Sequence, residues 1–134
     1  MSPASLSTAG VLLITVPAVV FGGVTLLRFL MRNVPGYLDN PARRRLWRAG
    51  HAHAGVLVLF SLVAMPYVDQ AALPDPVKTL VRLLIVAAPI LMPLGFFLSV
   101  ARPSDTEPNR LIGLTFLGGA SLAAGTLTLG VGLL

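Results

Sequence analysis

The chain has 134 residues, 55% of them hydrophobic and 11% charged, with a mean hydropathy of +0.84. That leaves too few polar side chains to cover a soluble domain of this size, so a soluble globular fold is excluded. Ten basic against five acidic residues give a net charge of +5, and the lack of cysteine excludes disulfides, thiolate metal sites and a cysteine nucleophile.

The apolar residues fall into four runs, each near the 20 or so residues needed to cross a bilayer as a helix. The expected fold is all-α: one membrane domain over residues 1–134, a four-helix transmembrane bundle with spans of about 9–28, 41–66, 78–101 and 110–134. The N-terminal segment lacks the basic region of a secretory signal, so the first run is expected to be a retained helix. Ser7 or Thr8 is placed to cap it. Pro17 should bend it, and Ala18 and Gly22 form a small-xxx-small pair that lets another backbone approach. Arg28 and Arg32 follow at its end.

Pro35-Gly36 signals a turn in the first loop. Asp39 or Asn40 is placed to cap the second helix, with Pro41 at its first position, where a missing N–H costs nothing. Trp47 and the arginines around it are expected in the headgroup layer, and Pro66, Tyr67 and Asp69 to mark the exit. Asp75-Pro76 would open the third helix, in which Pro89 and Pro93 lie one turn apart and predict a kink. The fourth run contains six glycines, and Gly119/Ala123, Ala120/Ala124 and Ser121/Gly125 give it small-xxx-small faces.

Basic residues are unevenly divided between the two ends. Arg28, Arg32, Arg43, Arg44, Arg45, Arg48, Arg102 and Arg110 share one, while Lys78 and Arg82 are alone at the other. The positive-inside rule then places the arginine-rich end in the cytoplasm and both termini outside, with a bacterial cytoplasmic membrane as the expected setting. Because the basic residues flank apolar spans, anionic lipid headgroups rather than nucleic acid are the expected partner.

Both histidines, His51 and His53, lie just inside this arginine-rich end of the second helix, roughly 5–8 Å beyond Arg48 along the helix axis. Ionisable groups at such depth are rare and point to function by default. Two residues apart on a helix means about 200° apart, so the two imidazoles occupy opposite faces and one helix cannot place both on a single ion. One is expected to face its own bundle and the other a neighbouring protomer of a homo-oligomer. The residues expected at their depth are Gly22, Gly23 and Thr25 of the first helix, Phe96, Phe97 and Ser99 of the third, and Leu114, Thr115 and Phe116 of the fourth. A flat aromatic ligand could slot beside Gly22-Gly23. The bland alternative is a pair of interfacial histidines bonded to hydroxyls or headgroups. A proton-linked role is the third option, because free imidazole titrates near neutral pH.

The string Arg-Ala-Gly-His51-Ala-His53-Ala-Gly-Val-Leu-Val-Leu resembles the second-helix motif of the haem–copper oxidase and nitric oxide reductase superfamily and its small relatives. The resemblance covers about a dozen residues and would cast His51 or His53 as an axial haem ligand. The larger enzymes gather histidines from several helices, whereas this chain has only these two, and their motif begins from the outer side. The length, the basic first loop and Arg48-Ala49 are also similar to membrane-associated glutathione-handling enzymes, which are trimers of four-helix chains. Those continue with an asparagine and a glutamate that this chain lacks. The leading expectation is thus a redox-accessory or binding protein, with His51, His53 and Arg48 contributing a haem or transition-metal site. The alternatives are a small oligomeric enzyme or carrier of amphipathic molecules, with Arg44, Arg48 and His51 holding an anionic head, and a structural subunit of a larger membrane complex.

Overall fold

The computed structural model describes all 134 residues. It is all-helical: α1 spans Pro3–Met31, α2 Pro41–Gln70, α3 Asp75–Leu98 and α4 Gly113–Leu133, the last entered through a single 3₁₀ turn, Arg110–Ile112. Each of these four helical stretches is long and apolar enough to cross a membrane. α1 packs on α2, α2 on α3 and α3 on α4, so α2 and α3 form the middle of the bundle.

Local chemistry accounts for most boundaries. The Asn40 side chain accepts from Arg43 N at 3.0 Å and Pro41 takes the first turn of α2. α1 starts well before Ser7 and Thr8, because Ser2 caps it by accepting from Ser5 N at 3.1 Å. α2 runs through Pro66 to Gln70 rather than ending there. α3 has Asp75 within its first turn rather than as a side-chain cap.

The buried residues repeat at heptad-like spacing. On α2 they include Arg43, Gly50, Leu57 and Ala64, and on α3 Val81, Ile85, Ala88 and Gly95. On α4 Gly118, Gly125 and Gly132 recur every seven residues. A period of 3.5 keeps one seam of each helix against its neighbour. The α4 glycines allow a close approach: a Cβ on Gly118 would lie 2.7 Å from Met92 Cγ, and one on Gly125 3.0 Å from Ile85 Cγ1. Ser121 Oγ donates to Leu84 O at 2.8 Å on the same face. Of the small pairs expected to mediate packing, Ser121/Gly125 does so, whereas Ala120, Ala123 and Ala124 face outward and Gly119 has no neighbour within 4 Å.

The tightest core gathers Ala64, Met65, Val68, Ala71, Val81, Ile85 and Leu129 near the end that carries the termini. Beside it is a polar knot. Asp69 Oδ1 accepts from Ser2 Oγ at 2.7 Å, Ser5 Oγ at 2.7 Å and Arg82 Nη2 at 2.9 Å, while Oδ2 accepts from Ser2 N at 2.6 Å. Lys78 Nζ donates to the Asp69 carbonyl at 2.9 Å. Both basic residues at this end are thus engaged by the chain itself.

The opposite end is closed by two loops. Gly36, at φ 74° and with Pro103 where a Cβ would stand, admits no side chain. Asn40 Nδ2 donates to Pro103 O at 3.0 Å and Asp105 O at 2.7 Å. Arg43, expected to anchor in headgroups, is instead buried: it donates to Gly36 O at 2.9 Å and Ala101 O at 3.0 Å and lies 4.0 Å from the Trp47 ring centroid. A desolvated guanidinium is stable there because two backbone carbonyls and an aromatic face replace its water.

Candidate functional site

The site is built where α2 passes between α1 and α3. Gly50 is buried against α3, and a Cβ there would lie 3.0 Å from Phe96 Cβ and 3.1 Å from Phe97 Cε2. That close approach fixes the rotation of α2, and the next residues divide between the neighbours as the 200° rule requires. His51 turns to α1 and His53 to α3.

The His51 imidazole rests in a notch made by two consecutive glycines. A Cβ on Gly23 would lie 2.9 Å from His51 Nε2 and 3.0 Å from Cε1, and one on Gly22 3.7 Å from Nδ1. The notch at Gly23 is therefore filled by the protein's own ring, while Gly22 also borders the open cleft. His51 makes no hydrogen bond within the chain, unlike His53, whose Nδ1 is 2.8 Å from Ala49 O and whose ring lies 5.0 Å from that of Phe96. Both rings lean on helices of their own chain, so His53 does not turn wholly towards a neighbouring protomer.

His51 borders two spaces. The first is a cleft of about 250 Å³ between α1, α2 and α3. Leu12, Ala18, Val58, Val86, Ile90 and Phe97 are among its apolar walls, with Pro89 exposing no N–H. Its polar side chains are His51 and Thr15, and the Thr15 hydroxyl already donates to Leu12 O at 2.6 Å. The second is a recess of about 470 Å³ on the other side of the α1–α2 seam, lined by Leu26, Arg45, Arg48, Ala49, His51 and Ala52. Arg48 and His51 thus come together, with Arg45 as the added member. His53 is not among the residues lining either space, and Arg44 donates to Leu38 O at 3.1 Å.

Above the cleft an aromatic group closes the arginine-rich end. Phe29, Tyr37 and Trp47 pack with ring centroids 5.6–6.3 Å apart, Trp47 meets Phe97 edge-on at 5.9 Å, and Trp47 Nε1 donates to Phe97 O at 3.2 Å. Nowhere do three His, Asp or Glu side chains converge as a metal-ligand set. His51 and His53, on opposite faces of α2, do not converge on one point either.

The histidines and their glycine and phenylalanine neighbours are legible in the sequence, whereas the Asp69–Arg82 knot and the role of Arg43 are not. The knot leaves one trace there: Asp69 and Arg82 are near the same end of adjacent antiparallel helices, where unpaired charges would be costly. No protein-family model, curated protein or solved structure matches this chain.

Proposed function

We propose that this chain is an integral membrane protein that binds or carries an amphipathic molecule. The ligand's apolar body occupies the α1–α2–α3 cleft and one polar group meets His51. The observation that carries this reading is the composition of the cleft: apolar walls and a single uncommitted polar side chain, at one end. A neutral imidazole both donates and accepts, so it suits a hydroxyl, carbonyl or carboxyl head. By the positive-inside rule the arginine-rich end, and with it His51, faces the cytoplasm.

The test is solvent extraction and mass spectrometry of protein purified in lipid nanodiscs. The expected result is one amphipathic species near one per chain, lost when Ala54→Leu fills the cleft wall. His51→Ala should weaken rebinding by about two- to tenfold, the size of one hydrogen bond. Identical recovery from wild type and Ala54→Leu would refute the reading.

A second reading has its own observation. With Nδ1 of His53 donating to Ala49 O, Nε2 keeps a free lone pair, and a backbone carbonyl behind the ring is the usual support of a ligating histidine. A haem or transition metal held by His53, with further ligands from outside the chain, would appear as a Soret band or bound metal that His53→Ala abolishes. Colourless, metal-free protein from cells supplied with both would eliminate it.

A further inference from the structure

We propose that the outer face of the α1–α2 seam is a specific site for one anionic phospholipid, on the other side of the seam from the cleft, with His51, Val19 and Val58 as shared walls. Its headgroup end is the recess of Arg45, Arg48 and His51, and its acyl end is a narrow groove along the same seam.

Arg45 and Arg48 differ from the two arginines before them. Arg43 and Arg44 are committed to backbone carbonyls. Arg45 and Arg48 donate to nothing in the chain, and its one ion pair, Arg82–Asp69, is at the opposite end. Three residues apart on a helix, they lie one above the other on one face, with His51 a further three residues on. No acidic side chain lines the recess. Two uncommitted guanidiniums and an imidazole around a space without acids make an anion site, and guanidinium matches the oxygens of a phosphate with paired hydrogen bonds.

What selects a lipid over a free anion is the rest of the seam. Below the recess is a second, apolar groove of about 140 Å³, lined by Val16, Val19, Val20, Gly55, Val58 and Leu59. Leu26 of the recess is seven residues from Val19 of the groove, and Ala52 seven from Leu59, so both spaces lie on one stripe of each helix. The two levels are about 10 Å apart along the axis. Gly55 keeps the groove open at its middle: a Cβ there would already touch Val19 Cγ1 at 3.7 Å. A free phosphate would use the recess alone, whereas a phospholipid uses both.

The test is native mass spectrometry of the full chain in neutral detergent, titrated with dioleoyl phosphatidylglycerol or dioleoyl phosphatidylcholine. The expected result is one saturable phosphatidylglycerol per chain and weaker phosphatidylcholine binding. Arg45→Gln/Arg48→Gln should weaken phosphatidylglycerol binding about thirtyfold. Arg28→Gln/Arg32→Gln removes the same charge from the same end outside the recess and should leave binding unchanged. All four arginines are exposed, so neither pair is required for folding. Equal loss in both pairs would reduce the effect to general surface charge and overturn the site. So would equal affinity for the two lipids, or displacement of phosphatidylglycerol by millimolar inorganic phosphate, which would make it a free-anion site. None of these variants alters the cleft, so this result and that of Ala54→Leu stand or fall separately.

Discussion

Gly22 and Gly23 are adjacent, both helical, and both beside His51, yet one added methyl should separate them. On Gly22 it would sit 3.7 Å from Nδ1, an ordinary contact, whereas on Gly23 it would lie 2.9 Å from Nε2 and 3.0 Å from Cε1. Each change gains up to about 1 kcal/mol of helix propensity, so that term cancels between them. What remains is the clash, about 1–3 kcal/mol if the ring holds its place. Because the ring is the free end of a side chain, it has a cheaper course, to turn off α1 into the cleft or the recess. Gly23→Ala should therefore either lower stability by about 1–3 kcal/mol relative to Gly22→Ala or leave stability equal and move the imidazole. Reversible unfolding in mixed detergent micelles measures the first outcome, and ¹⁵N imidazole spectra with cleft-ligand affinity measure the second. Two alanine variants alike in stability, His51 resonances and ligand affinity would refute the seating of His51 on Gly23.

Two further predictions test the frame around the site. Gly95→Ala drives a methyl into Thr115, 2.5 Å from its backbone nitrogen, and should lower the unfolding free energy by about 1–3 kcal/mol or more. Gly119→Ala meets nothing within 4 Å and should be neutral or slightly stabilising in the same assay. Arg43→Gln removes the donors to Gly36 O and Ala101 O and the stack on Trp47, offset in part because the guanidinium carries a buried, unpartnered Nε. The net loss should be about 2–4 kcal/mol, with faster amide exchange in both loops at that end. Arg44→Gln, which loses one partly exposed bond to Leu38 O, should cost about 1 kcal/mol or less.

The features legible in the sequence are those set within a turn or two of chain. Asn40-Pro41 announces α2 because a cap and a first-turn proline act on their own neighbours. The opposed histidines follow from helical geometry alone. Which helix each one meets depends on how α1 and α3 flank α2, and periodicity within α2 does not hold that information. Arg43 could not be told from Arg44 and Arg45 for the same reason. Its role follows from the rotational setting fixed at Gly50 and from a loop near residues 101–105 that returns to meet it. The early start of α1 was hidden because hydropathy begins to rise at Ala9, while the serines that extend the helix are stabilised by Asp69 and Arg82, more than 60 residues away. The glycines of α4 were legible as packing residues, but which of them touch α3 is decided by the seven-residue repeat shared with the partner helix.

The cleft itself follows from how α1 is attached. At one end Ser2 and Ser5 are bound to Asp69, and Ser5 also accepts from Arg82 Nε at 2.9 Å. At the other end Phe29 joins Tyr37 and Trp47, and the glycine notch seats His51. Between these attachments only Leu12 of α1 is buried, and Pro17, which removes a backbone bond, sits mid-helix on the exposed side. A helix fastened at both ends and lightly packed between them leaves an apolar space on each side of its seam with α2. In water such spaces would be costly, and hydrophobic burial would tend to close them. In a bilayer that pressure is absent, because lipid tails are as apolar as the walls. The apolar cleft and groove can therefore persist there, and in a bilayer both would open sideways to the lipid. His51 stands at the level where both end, and it is the polar side chain common to the cleft on one side of α1 and the recess on the other.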